Sequence, residues 1–196
     1  MPMDPVSHLS AALDTTGQVL DGVGDQQWDG PTPCPDWDVR ALASHVVTGN
    51  LRFAGALAGR PADADPAPAG ASLPQAYRES AAALLAAFRE PGALGRTVTV
   101  PFGTVPGMVA LHLRVTELLV HGWDLARATG QAVAFPEEAA AAELDFTARM
   151  LPQVPPDRSP FGPPQPAAPD APAIDRLAAL LGRRVDGPAP AAGSGS

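Results

Sequence analysis

The chain has 196 residues and a mass of 20.0 kDa, enough for one domain with a sizeable core. A formal net charge of −8 and a pI near 4.8 exclude the basic face that nucleic acid and anionic membranes require. Cys34 is the only cysteine, which excludes an intramolecular disulfide and a thiolate metal cluster.

Lysine is absent and all positive side chains are arginine, while alanine and proline abound; this reads as coding bias more than function. No apolar run approaches the ~20 residues of a membrane span. The opening MPMDPVSHLS lacks the basic and apolar regions of a signal peptide. The expectation is a cytoplasmic protein that handles a small molecule and binds neither nucleic acid nor membrane. A homodimer is allowed, though no partner face is visible.

Residues 5–24 predict a helix, with Val6, Leu9, Leu13, Leu20 and Val23 at helical spacing. His8 falls in its first turns and is read as solvated. Residues 26–39, QQWDGPTPCPDWDV, predict a loop that Trp28 and Trp37 pin to the body, with Asp36 or Asp38 as N-cap of the next helix. Cys34, between two prolines and without a neighbouring base, is read as a packed thiol. Residues 38–59 predict the second helix, with Val39, Leu42, Val46, Phe53 and Leu57 inward and His45 among them. A histidine on an apolar face is more often a hydrogen-bonded core residue than a ligand, so both readings stay open at this point.

Residues 60–72 are low in complexity and predict a flexible loop. Residues 73–89 predict a third helix, and residues 95–107 a short hairpin or an extended loop across one end of a bundle. The fourth helix, at 106–129, carries apolar residues nearly all the way round and should be the most buried. Gly130 ends it. A fifth helix is expected at 135–150, then a proline-rich extended segment at 151–172, a short docked helix at 172–181, and a disordered tail at 187–196. Residues 1–186 then form one domain.

The fourth helix carries the chemistry. Glu117 and His121 are four residues apart and share a face at about 100° per residue, with Asp124 three further on. A carboxylate inside an apolar helix must be paired, protonated or bound to a cation. Glu-x-x-x-His arises by chance in many helices, and the apolar surround is what lifts it here. His112 is about 180° round the same helix and cannot share the site. His45 is the remaining internal histidine, and an antiparallel helix pair would bring it to the level of Glu117 and His121. Two histidines and one carboxylate with open positions suit Zn²⁺, and also Fe²⁺ or Ni²⁺. Arg114, near the same face, either holds a substrate carboxylate or is a surface arginine. Asp124 either orients His121, neutralises Arg127, or makes a helix-end salt bridge beside a packed Trp123.

TPCPDWDVRALASHVVTGNLRFA (residues 32–54) followed by TELLVHGWDLARATG (residues 116–130) resembles the actinobacterial metal-binding proteins of the DinB-like superfamily, including the N-terminal domain of mycothiol-dependent maleylpyruvate isomerases. Phe161-Gly162-Pro163, Ile174-Asp175-Arg176-Leu177 and Leu181-Gly182-Arg183 match small stand-alone members. The resemblance implies an all-α, DinB-like four-helix bundle with extra C-terminal helices and a divalent metal between helices. Its ligands fall on His45, Glu117 and His121, the three residues that spacing also selects. It further implies a mycothiol-dependent transferase or isomerase in which the metal lowers the pKa of a thiol. The isomerases carry an additional C-terminal domain that this chain does not extend into, so maleylpyruvate isomerisation itself is not expected. The alternatives are a hydrolase or lyase acting through metal-activated water, and a non-catalytic metal-binding protein.

Overall fold

The computed structural model describes residues 4–35, 37–60, 72–101, 103–154 and 161–186. The 60–72 loop lies almost wholly outside them, as do Asp36 and the 187–196 tail.

Six α-helices follow one another along the described chain: α1 (Pro5–Asp21), α2 (Val39–Leu57), α3 (Leu73–Arg89), α4 (Gly107–Thr129), α5 (Glu137–Met150) and α6 (Ala173–Leu180). Two short strands, β1 (Thr97–Val100) and β2 (Gly103–Pro106), form an antiparallel hairpin between α3 and α4. Local chemistry sets the boundaries. Asp38 caps α2 by accepting a hydrogen bond from the Ala41 amide at 2.7 Å. Ser72 does the same for α3, and Pro74 occupies a position where no amide hydrogen is needed. Gly130, at φ 69°, supplies the left-handed residue that ends α4. Gly107 is required where the hairpin runs into α4, because a Cβ there would lie 2.1 Å from the Ala93 carbonyl oxygen.

The first four helices form the bundle. α1 and α2 each pack against both α3 and α4, and α5 and α6 lie together on the outer side of α4. The core is mainly aliphatic, with Leu9, Leu42, Leu84, Leu111, Leu118 and Leu125 fully enclosed beside Phe53, Tyr77 and Phe88. Trp28 and Trp37 are half-buried and pack against it, as expected of a pinned loop. α4 is buried along most of its length, which its all-round apolar pattern anticipated.

Two local expectations are corrected. α5 begins at Glu137 rather than at 135, since Phe135 precedes the proline that sets the N-cap. His8 is buried, not solvated, and its Nε2 has no hydrogen-bond partner among the described residues. The first turn of α1 is not a free end: it borders a cleft of about 610 Å³ whose other wall is Phe88 and Arg89 at the end of α3. Among the described residues no helix is long and apolar enough to cross a membrane.

Candidate metal centre

α2 and α4 run antiparallel, and this sets the site. Asn50 meets Arg114 on one level, and His45 meets Glu117 and His121 on the next. Ligand atoms from His45, Glu117 and His121 all lie within 4.8 Å of one another. With metal–ligand lengths of about 2.0–2.2 Å, a tetrahedral ion would draw such atoms to about 3.4 Å. The donor set fits a divalent ion after a modest closing of side chains.

Each carboxylate on this face of α4 has its own arginine, and the pairing differs in a way that sorts their roles. Arg114 Nη1 donates to Glu117 Oε2 at 2.8 Å. Glu117 Oε1 is left facing His45 Nε2 at 3.9 Å, too far for a hydrogen bond. One carboxylate oxygen is therefore committed and the other is available. Asp124 has both oxygens engaged: Arg183 donates from Nε to Oδ1 at 3.2 Å and from Nη2 to Oδ2 at 2.8 Å. Its Oδ2 also accepts from His121 Nδ1 at 3.3 Å, leaving His121 Nε2 for an ion.

Arg114 is neither on the surface nor free to bind substrate. It is fully buried, with Nε bonded to Asn50 Oδ1 at 3.1 Å and Nη2 to the Val46 carbonyl at 2.7 Å. Asn50 in turn donates to Ser80, which donates to the Tyr77 carbonyl, so the arginine is the head of a polar chain running into α3. Arg127 does not pair with Asp124. It lies over the Trp123 ring at 4.9 Å and donates to the Val185 carbonyl, while Trp123 Nε1 donates to Asp175 on α6.

His112 is on the far face of α4, as its spacing required. Its Nδ1 meets the fully buried Glu143 of α5 at 2.9 Å.

Electrostatics favour a neutral imidazole at the open edge. Burial pushes His45 down to about 4, helped by His121 and opposed by Glu117. Burial alone would push the Asp124 carboxyl up. Hydrogen bonds from His121 and Arg183, and their charges, outweigh it and hold the carboxyl below its ordinary value.

Three residues of the site had no signal in spacing. Trp37 packs against His45 with ring centroids 4.3 Å apart and the rings tilted by 33°, and reaches His121 at 5.8 Å, forming a wall of the site. Asn50 and Arg183 are the others. Burial of a polar residue inside an α2 apolar stripe was the available hint for Asn50; nothing in the pattern pointed to Arg183 as a partner of Asp124.

Residues 9–126 match the family model described as the mycothiol maleylpyruvate isomerase N-terminal domain. The chain belongs to that family. Two uncharacterised proteins of Mycobacterium tuberculosis, from strains CDC 1551 / Oshkosh and ATCC 25618 / H37Rv, are each 38% identical over 184 residues, covering 93% of this chain and all of theirs. Among solved structures, the mycothiol-dependent maleylpyruvate isomerase superposes with a TM-score of 0.57 at 20% identity, covering 74% of this chain and 70% of that one. A histidine-to-alanine variant of that isomerase gives 0.56 at 18%, with the same coverage. At this identity the likeness establishes the fold, an α-helical bundle of the isomerase type.

Proposed function

We propose that this protein is a divalent-metal enzyme that carries out a thiol-dependent transfer or isomerisation on a small electrophile, with His45, Glu117 and His121 as metal ligands. Zinc suits the donor set best, and nickel or iron accept the same donors. The thiol proposed is mycothiol, because the isomerases sharing this fold are named for it.

One observation carries the reading. Among the described residues three ligand atoms come together, while both oxygens of Asp124, which contacts His121, are held by Arg183. A purely structural zinc site is closed by four protein ligands, whereas catalytic sites keep one position open.

A bound divalent ion supplies acidity: it lowers the pKa of a coordinated thiol so that a thiolate is present at neutral pH. The surrounding residues do the rest. Neutral His45 offers Nε2 without first losing a proton. Arg114 fixes the Glu117 carboxylate so that a single oxygen faces the site. Asp124 holds the His121 ring through Nδ1. The Trp37 ring lies against both imidazoles and offers an apolar face to a ligand.

The test is metal analysis of the purified protein followed by turnover assays with mycothiol and a panel of electrophiles. Turnover should require both the ion and the thiol. Turnover that persists without added thiol would replace this reading with a hydrolase or lyase.

A further inference from the structure

We infer that Arg183 is a positioning residue for the metal centre, and that through it the C-terminal segment 161–186 acts as a latch whose docking is coupled to metal occupancy. This rests on the metal reading above and extends it to a part of the chain that supplies no ligand.

The segment is built to aim Arg183 inward. After α6, the Arg183 amide bonds back to the Ala178 carbonyl at 2.9 Å. Gly182 adopts φ 89°, and a Cβ there would lie 2.9 Å from the backbone of Gly162, so the start and end of the segment close against each other at a point where only glycine fits. The guanidinium lies 5.7 Å from the Phe161 ring centroid, and Nη1 donates to the Leu181 carbonyl at 2.8 Å. Its other two nitrogens form the fork on Asp124. Arg183 is 7% exposed and Asp124 is fully buried, so this bidentate pair is not a surface contact that water could replace.

The pair lies one residue from the ligand shell. Asp124 sets the His121 ring by accepting from Nδ1, and an outer carboxylate of this kind typically contributes about 10–100-fold to metal affinity. An Asp124 without Arg183 would be a buried, half-satisfied anion, free to rotate. The rest of the segment leans on the same helix. Asp175 takes the Trp123 indole and Val185 takes Arg127, the residues on either side of Asp124 in the α4 turn. Any ion that needs His121 in its present orientation therefore favours the docked segment, and by reciprocity the docked segment favours the ion.

The experiment measures zinc affinity of the full chain by competition with a chromophoric chelator, for wild type, Arg183→Ala, Arg183→Lys and Arg184→Ala. Arg184 is exposed, which makes it the matched control. Arg183→Ala should bind zinc about 10–100-fold more weakly. Arg183→Lys, which keeps charge but loses the fork, should fall between, and Arg184→Ala should match wild type. Hydrogen exchange on wild type supplies a readout that needs no variant: saturating zinc should slow exchange at α6 and at residues 181–185.

A purely structural Arg183 would lower the melting temperature equally with and without zinc and leave affinity untouched. Wild-type affinity in both Arg183 variants, or exchange in the segment indifferent to zinc, overturns the latch. If Arg183→Ala does not fold, Arg183→Lys and the wild-type exchange experiment decide. Wild type that binds no divalent ion overturns the metal reading as well, which separates the two failures.

Discussion

Arg114 and Glu117 form an ion pair one helical turn apart inside the bundle, with the guanidinium fully buried and its Nη1 2.8 Å from Glu117 Oε2. The contact solves two problems at once. It neutralises a carboxylate that α4 could not otherwise bury, and it leaves Oε1 directed at His45. Removing one member of such a pair leaves an uncompensated buried charge, at a cost of about 3–5 kcal/mol. Arg114→Met should destabilise the protein by that amount in urea unfolding. A loss below ~1 kcal/mol would show that the pair is solvated in solution.

Gly49 is the counterpart of that arginine on α2. A Cβ at this position would lie 2.3 Å from Arg114 Nη1, and the guanidinium is held at three points and cannot step aside freely. Gly49→Ala should cost about 1–3 kcal/mol as an overpacking change. In the Arg114→Met background the same change should cost much less. A double-mutant cycle reads this coupling, and additive effects would deny it.

His45→Ala should abolish stoichiometric binding of a divalent ion while leaving most helical circular dichroism intact, because the side chain is a third exposed at the edge of the bundle. His112→Ala should leave the stoichiometry unchanged, since its ring faces Glu143 on the opposite side of α4. Metal content by elemental analysis checks both.

Trp37 should report ion binding directly. Its ring packs against His45 with centroids 4.3 Å apart, so a paramagnetic ion such as Co²⁺ bound at the trio should quench its fluorescence. Trp37→Phe should remove most of the quenching that Co²⁺ produces in wild type. Quenching undiminished in this variant would place the ion elsewhere.

The metal-free protein should lose stability in acid in two stages. His45 has a folded pKa of about 4, below its ordinary value of about 6.5. The unfolded chain takes up the proton first, so stability falls as pH drops from about 6.5 toward 4. Asp124, also held low, contributes stability that is present above its ordinary pKa of about 3.9 and is lost as pH falls further. Chemical unfolding of His45→Gln across pH 4–7 should show a flatter profile than wild type. An unchanged slope would assign the acid sensitivity to other groups.

Much of the fold was legible because helical periodicity and capping are local. The α2 stripe, the Asp38 cap, the proline at the start of α3 and the glycine after α4 lie within a few residues of what they control. The grouping of His45, Glu117 and His121 was also legible. Two members are fixed on one face of α4 by the 3.6-residue repeat, and the third, His45, comes from α2, which runs antiparallel beside that face. The error at His8 has the opposite origin. A helix end looks solvated from sequence, and burial at that end depends on which other element passes over it.

Sequence alone determined the helices, the apolar faces, and that Glu117 and His121 share one face of α4. It did so because side-chain direction along a helix follows from rotation per residue. Tertiary structure alone decided which arginine serves which carboxylate. Arg114 could have pointed to solvent, and Asp124 could have paired with Arg127 in the next turn. Packing of α2 buried the first, and the return of the chain after α6 brought Arg183 across 59 residues to the second. Such pairings depend on how the chain closes in space. Those closures left Glu117 Oε1 facing His45 and both Asp124 oxygens bonded to Arg183, which is the difference on which the proposed roles of ligand and support rest.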